Sequence, residues 1–186
     1  MAGMSDFWGG KRVVVTGGKG FLGRHLCALL EKSGAIVFVA DLADNDLRHI
    51  HSANHAMEGD ILFHLAARVG GILDNIAHPA DFIHDNLTIG LNVLKAAQDS
   101  GVERVVLAGS ACAYPKHLEY YFEDDLWAGH PEESNGAYGV SKRVLVTLAG
   151  AYRKQHGMNI ATLIPTNMYG PGDCLDLKRS HVIPAI

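Results

Sequence analysis

The run Arg12-Val13-Val14-Val15-Thr16-Gly17-Gly18-Lys19-Gly20-Phe21-Leu22-Gly23 decides the fold. Its first five residues are mostly valine and read as a short buried strand, because branching at Cβ suits a pleated, packed surface. Gly17, Gly20 and Gly23 then stand three apart, and Phe21 to Lys32 carries Phe21, Leu22, Leu26, Leu29 and Leu30 at helical spacing. The order is strand, glycine turn, helix. Without Cβ atoms such a turn is tight and lets a pyrophosphate approach the backbone, where the free N–H groups and dipole of the helix start meet its charge. Gly17, Gly20, Phe21, Leu22 and Gly23 are therefore candidate cofactor-binding residues. A second apolar run, Ala35 to Ala40, follows the helix and separates this segment from a glycine-rich hairpin or flexible loop.

Asp41 closes that second run, 21 residues beyond Gly20. A carboxylate at this spacing accepts hydrogen bonds from the adenosine ribose hydroxyls and repels a 2′-phosphate, which favours NAD over NADP. As an ordinary strand-end or capping residue it carries no such preference, and Lys19, Arg24 or Arg48 could still hold a phosphate. Both NAD and NADP stay open as cofactors.

Asp44 to Asp60 is polar, rich in His and Asn, and poorly patterned. Ile61 to Ala67 reads as another buried strand, whose end at Leu65, Ala66 and Ala67 lets a flat cofactor pass close by. Val69 to Ile72 reads as a loop. Asp81 to Ser100 reads as a long helix stopped by Gly101, Arg104 to Ala108 as a strand, Tyr138 to His156 as a helix, and Ile160 to Ile164 as a sixth strand ending at Pro165. Strands alternating with helices at this spacing predict an α/β fold, a doubly wound parallel sheet of Rossmann type, with residues 1–186 as one dinucleotide-binding domain. One junction conflicts with that pattern. Glu58 to Ile61 reads as the end of a third strand, yet the next strand follows at once, and a parallel pair needs a crossover of roughly a dozen residues. The expectation is that a strand or its connecting helix is missing there, and that the end at Pro184-Ala185-Ile186 is equally abrupt.

Gly109 lets the chain turn after Ala108 and present Ser110 at the carboxyl end of its strand, where open α/β sheets keep their chemistry. Tyr138 and Lys142 are four apart and share a helix face, so the ammonium is expected to sit beside the phenol and draw its pKa from about 10 toward neutrality. Ser110 would hydrogen-bond the same substrate oxygen. Taken singly, these are a strand-end serine, a half-buried aromatic and a solvated lysine; together, downstream of a nucleotide-binding turn, they read as a proton-transfer site.

Composition narrows the rest. With 48% apolar and 19% charged residues the chain is an ordinary globular one, and a net charge of −4 offers no basic footprint for nucleic acid. Three cysteines without paired spacing argue against a disulfide framework. No apolar run approaches membrane-spanning length and no signal core opens the chain, so a cytoplasmic protein is expected. Eleven histidines are scattered without metal-ligand spacing, so no metal is expected.

The segments Leu65 to Ile72, Pro79 to Ile83, Gly109 to Lys116, Pro165 to Pro171 and Ser180 to Ala185 resemble the extended branch of the short-chain dehydrogenase/reductase family, and within it the GDP-fucose synthases. The resemblance implies that Ser110, Tyr138 and Lys142 serve reduction at C4 of a GDP-4-keto-6-deoxyhexose. It makes Cys112 and His181 the acid/base pair that epimerises C3 and C5, and places Pro165 and Asn167 at the cofactor. NADPH is the cofactor of that subfamily. Ala111-Cys112 and Asp125-Leu126-Trp127 also resemble GDP-mannose 3,5-epimerase, a redox-neutral enzyme that keeps NAD bound. A plain 4-ketoreductase and a non-catalytic nucleotide-binding fragment complete the alternatives, the last because the family's substrate lobe would begin beyond Ile186. The family also implies a homodimer through the two long helices.

Overall fold

The structure is a computed structural model and describes residues 7–173. Five strands form one parallel sheet: β1 (Arg12–Thr16), β2 (Ile36–Ala40), β3 (Ile61–His64), β4 (Arg104–Ala108) and β5 (Ile160–Leu163), in the order β2-β1-β3-β4-β5. The helices between them are α1 (Phe21–Lys32), α2 (Ile50–Ala56), α3 (Ile72–Ala77), α4 (Pro79–Asp99) and α5 (Gly136–His156). Alternation along β1 sorts the core into two layers. Val13 and Val15 face α1 with Cys27, Leu30 and Ile61. Val14 faces the other way, into a larger cluster of Leu62, Val105 and Leu107 with Ala53 and Ala56 of α2, Val93 and Leu94 of α4, and Leu145 and Ala149 of α5.

The strand count is one lower than the sequence predicts, and the junction at Asp60 is whole. Asp60 N donates to Arg12 O at 2.8 Å and Asp60 O accepts from Glu103 N at 2.9 Å, so the chain passes through this residue straight into β3. The crossover lies upstream, in α2, within the polar stretch that lacks periodicity. Ala53 and Ala56 are the buried residues of α2, and Asn92 of α4 fastens its approach by donating to the carbonyls of Leu47 at 3.0 Å and Arg48 at 2.9 Å. Small buried residues and the tether of its approach to α4 hold this helix, and neither leaves an amphipathic signature. The expected loop from Val69 runs as far as Gly71, and its last residue, Ile72, opens α3.

Both long helices form, Pro79–Asp99 with proline in its first turn and Gly136–His156 closed by Gly157 at φ 65°. They pack on each other closely: a Cβ at Gly90 would stand 2.3 Å from the Leu145 side chain. That contact carries α5 across the carboxyl end of β4, which positions the site.

Candidate active site

The glycine turn has the shape its sequence predicts. Gly17 adopts φ +70°, and a Cβ there would fall 2.9 Å from Ala66 N, so the turn lies against the strand end Leu65 to Ala67. A Cβ at Gly23 would sit 2.3 Å from Gly17 O, which is how closely α1 closes on the turn. Gly20 precedes α1 and is exposed, with Phe21 and Leu22 half-buried behind it. A backbone cradle of this kind fits a dinucleotide pyrophosphate. At the far rim Asp41 ends β2 and pairs with Lys19 of the turn at 3.1 Å, while Lys19 also reaches Asp44 at 3.5 Å. The predicted ribose acceptor is thus already partnered by a cation.

Thr16 ties the floor together, a role the sequence reading missed. Its Oγ1 accepts from Leu65 N and from Ala66 N, each at 3.2 Å, and lies 2.8 Å from His64 Nδ1. Leu65 N is shared with the Thr16 carbonyl at 3.2 Å, and one hydrogen lies between Oγ1 and Nδ1. His64 is fully buried, and burial, with the charge of Lys142 adding, lowers its pKa to about 3. A histidine inside an apolar strand was the only sequence signal for this pair.

Ser110, Cys112, Tyr138 and Lys142 come together over the end of β4. Ser110 Oγ accepts from Cys112 N at 3.2 Å and so caps the 3-10 turn Ala111–Ala113 that presents the thiol. Ala111 N donates to Pro165 O at 3.3 Å, which brings the strand-end Pro165 beside this turn; Asn167 lies exposed two residues on. From α5, Gly139 docks directly on the same turn: a Cβ there would lie 2.3 Å from Cys112 O. His181 lies outside the described residues.

The phenol corrects the expectation drawn from spacing. Tyr138 is pushed up to about 12, chiefly by burial and then by the charge of Cys112, against a hydrogen bond from Ser110 that pulls the other way. Lys142 Nζ is 5.7 Å from the Tyr138 ring centroid but donates to Ala108 O at 3.0 Å, and burial brings its pKa down to about 8. Both groups lose solvent together, so desolvation outweighs their shared helix face. The phenol is therefore protonated at neutral pH and, with no cofactor bound, a weaker acid than free tyrosine. Among the described residues, no three His, Cys, Asp or Glu side chains are placed to hold a metal ion, and no helix is long and apolar enough to cross a membrane.

Comparison with known proteins gives the family. The model of the NAD dependent epimerase/dehydratase family matches residues 13–186. GDP-L-fucose synthase of Sinorhizobium fredii is 39% identical over 181 residues, covering 95% of this chain and 58% of the relative. The Escherichia coli GDP-L-fucose synthase is 34% identical, with 95% and 56% covered. Among solved structures, the GDP-L-fucose synthetase of Naegleria fowleri bound to NADP superposes with a TM-score of 0.85 at 31% identity, over 94% of this chain and 59% of that one. A GDP-D-glycero-L-gluco-heptose synthase from Campylobacter jejuni, crystallised in the presence of NADPH, gives 0.89 at 28% identity over 95% and 53%. The chain thus spans a little over half the length of the relatives it matches.

Proposed function

Because the chain belongs to the NAD dependent epimerase/dehydratase family, we propose that it carries the cofactor and catalytic half of an NAD(P)-dependent enzyme that epimerises and reduces a GDP-4-keto-6-deoxyhexose. The observation that carries this reading is the convergence of Ser110, Cys112, Tyr138 and Lys142 on the end of β4 beside a glycine cradle. GDP-sugar enzymes among the relatives, and related structures determined with NADP or NADPH, support the substrate and cofactor classes.

When bound, the nicotinamide supplies hydride to C4. Tyr138, protonated at neutral pH, donates to the C4 oxygen, Ser110 orients that oxygen, and the Lys142 ammonium favours the charge that forms on the phenol. Epimerisation uses the acidity of the carbons flanking the ketone. A base takes the proton from C3 or C5, the electron pair spreads into the enolate, and an acid returns a proton on the other face. Cys112 and His181 fill these roles. Asp41 favours NAD, whereas Lys19 beside it gives a 2′-phosphate a partner.

The reading also includes a homodimer through α4 and α5, supported by the exposed Leu91, Val140 and Val144 on their surfaces; sedimentation as a monomer at micromolar concentration would remove it.

The test is turnover of GDP-4-keto-6-deoxymannose in deuterated water with NADH or NADPH, on the longest natural chain. Deuterium at C3 and C5 together with cofactor oxidation is the expected result, and Cys112→Ser should abolish the deuterium while sparing reduction of the epimerised ketone. Deuterium uptake without cofactor oxidation would favour a redox-neutral epimerase, reduction without deuterium a plain 4-ketoreductase, and cofactor binding with neither a non-catalytic nucleotide-binding chain.

A further inference from the structure

Arg143 follows Lys142 directly and is also buried, at 8% exposure. Its Nε donates to Ala113 O and its Nη1 to Gly129 O at 2.7 Å, while its guanidinium carbon stands 5.8 Å from the Trp127 ring centroid. The third nitrogen, Nη2, is buried without a partner. Arg143 makes no ion pair among the described residues, and burial holds its pKa below the ordinary guanidinium value. A buried cation with no counter-charge and an idle donor is costly, so stability alone does not account for it.

Its two carbonyl partners explain the placement. Ala113 and Gly129 flank the segment between the 3-10 turn and α5, and the base of that segment is closed by a bridge between Pro115 and Pro131 and by Lys116 N donating to His130 O at 3.1 Å. One guanidinium therefore grips both ends of the loop 114–128. Ala113 is also the last residue of the turn that carries Cys112, so a shift of its carbonyl is passed one peptide back to the thiol. Ser110 lies on the far side of that thiol, fixed to the end of β4, and Tyr138 is fixed by α5 itself.

We propose that Arg143 is a positioning residue for Cys112: by holding Ala113 and Gly129 it fixes the turn that aims the thiol, and proton exchange beside the substrate ketone depends on it far more than hydride transfer does. The proposal rests on the function argued above, and its test separates the two. Arg143→Met and Arg143→Gln are compared with the parent enzyme for deuterium uptake at C3 and C5, for reduction of an already epimerised ketone, and, without substrate or cofactor, for the rate at which iodoacetamide alkylates Cys112, resolved by peptide mass.

Misplacement by about an ångström can cost on the order of a hundredfold. Arg143→Met should therefore lower deuterium uptake about tenfold to a hundredfold, leave reduction within about twofold, and change the alkylation rate severalfold. Arg143→Gln, which keeps a donor for one carbonyl, should fall between, and it carries the test if the methionine variant does not fold. Equal loss of exchange and reduction, or unchanged exchange, overturns the proposal. If the parent enzyme exchanges no deuterium, the functional reading fails instead, and the alkylation rates alone decide the positioning, unchanged rates overturning it.

Discussion

The rim of the cofactor cleft and the junction of β4 with α5 hold their charges in opposite ways. At the rim, Lys19 and Asp41 form an ion pair in water, the lysine side chain 60% exposed. At the junction, Lys142 and Arg143 are buried and are met by the carbonyls of Ala108, Ala113 and Gly129 instead of by carboxylates. An exposed pair is screened and contributes little, whereas Lys142, buried against a dipole, keeps its field for whatever charge develops beside it, and Arg143 uses its donors to hold two limbs of a loop. The difference separates a surface that sorts ligands from an interior that moves protons.

The largest effect should come from the interior. Tyr138→Phe removes the proton donor from the chemical step while leaving the cradle of Gly17 and Gly23 untouched. Reduction should fall about 10² to 10⁴-fold with cofactor affinity nearly unchanged; a loss under tenfold, measured by cofactor oxidation, would break the distinction. His64 tests the interior through stability. The unfolded ring takes up a proton near pH 6.5 and the folded ring only near 3, so the unfolded state binds more protons across that window. Stability present above pH 6.5 should then be lost on acidification, by about 3 kcal/mol between pH 6.5 and 4. Urea unfolding of His64→Leu should show a flatter pH profile over that range; an unchanged slope would mean that other groups carry the acid sensitivity.

The smallest effect belongs to the rim. Lys19→Ala should move the thermal midpoint by no more than about 2 °C, since the pair is screened. Its effect should appear as a shift of preference toward NAD of about tenfold or less, read from the two dissociation constants. A large loss of stability there would contradict the contrast.

The glycine turn was legible because its chemistry is local. Gly20 and Gly23 make their contacts within a few residues of themselves, and β1 and α1 form on the predicted residues, although Gly17 also rests against the distant Ala66. The Tyr138 and Lys142 pair was visible from spacing, but its electrostatics was not, because desolvation depends on what α5 packs against. Arg143 carried no signal at all: in sequence it is one more charge after a lysine, and only the fold brings Ala113 and Gly129 within its reach. The helix Ile50–Ala56 escaped for a related reason, since Asn92, some forty residues downstream, tethers the carbonyls of Leu47 and Arg48 that lead into it.

Gly139 has a consequence for inheritance. Every other amino acid brings a Cβ, and at this position any Cβ meets the Cys112 carbonyl. Each missense change in that codon would therefore lever α5 from the turn and part Tyr138 from Ser110 in the same stroke. The helix of Tyr138 and the turn of Cys112 thus share a single mutational target.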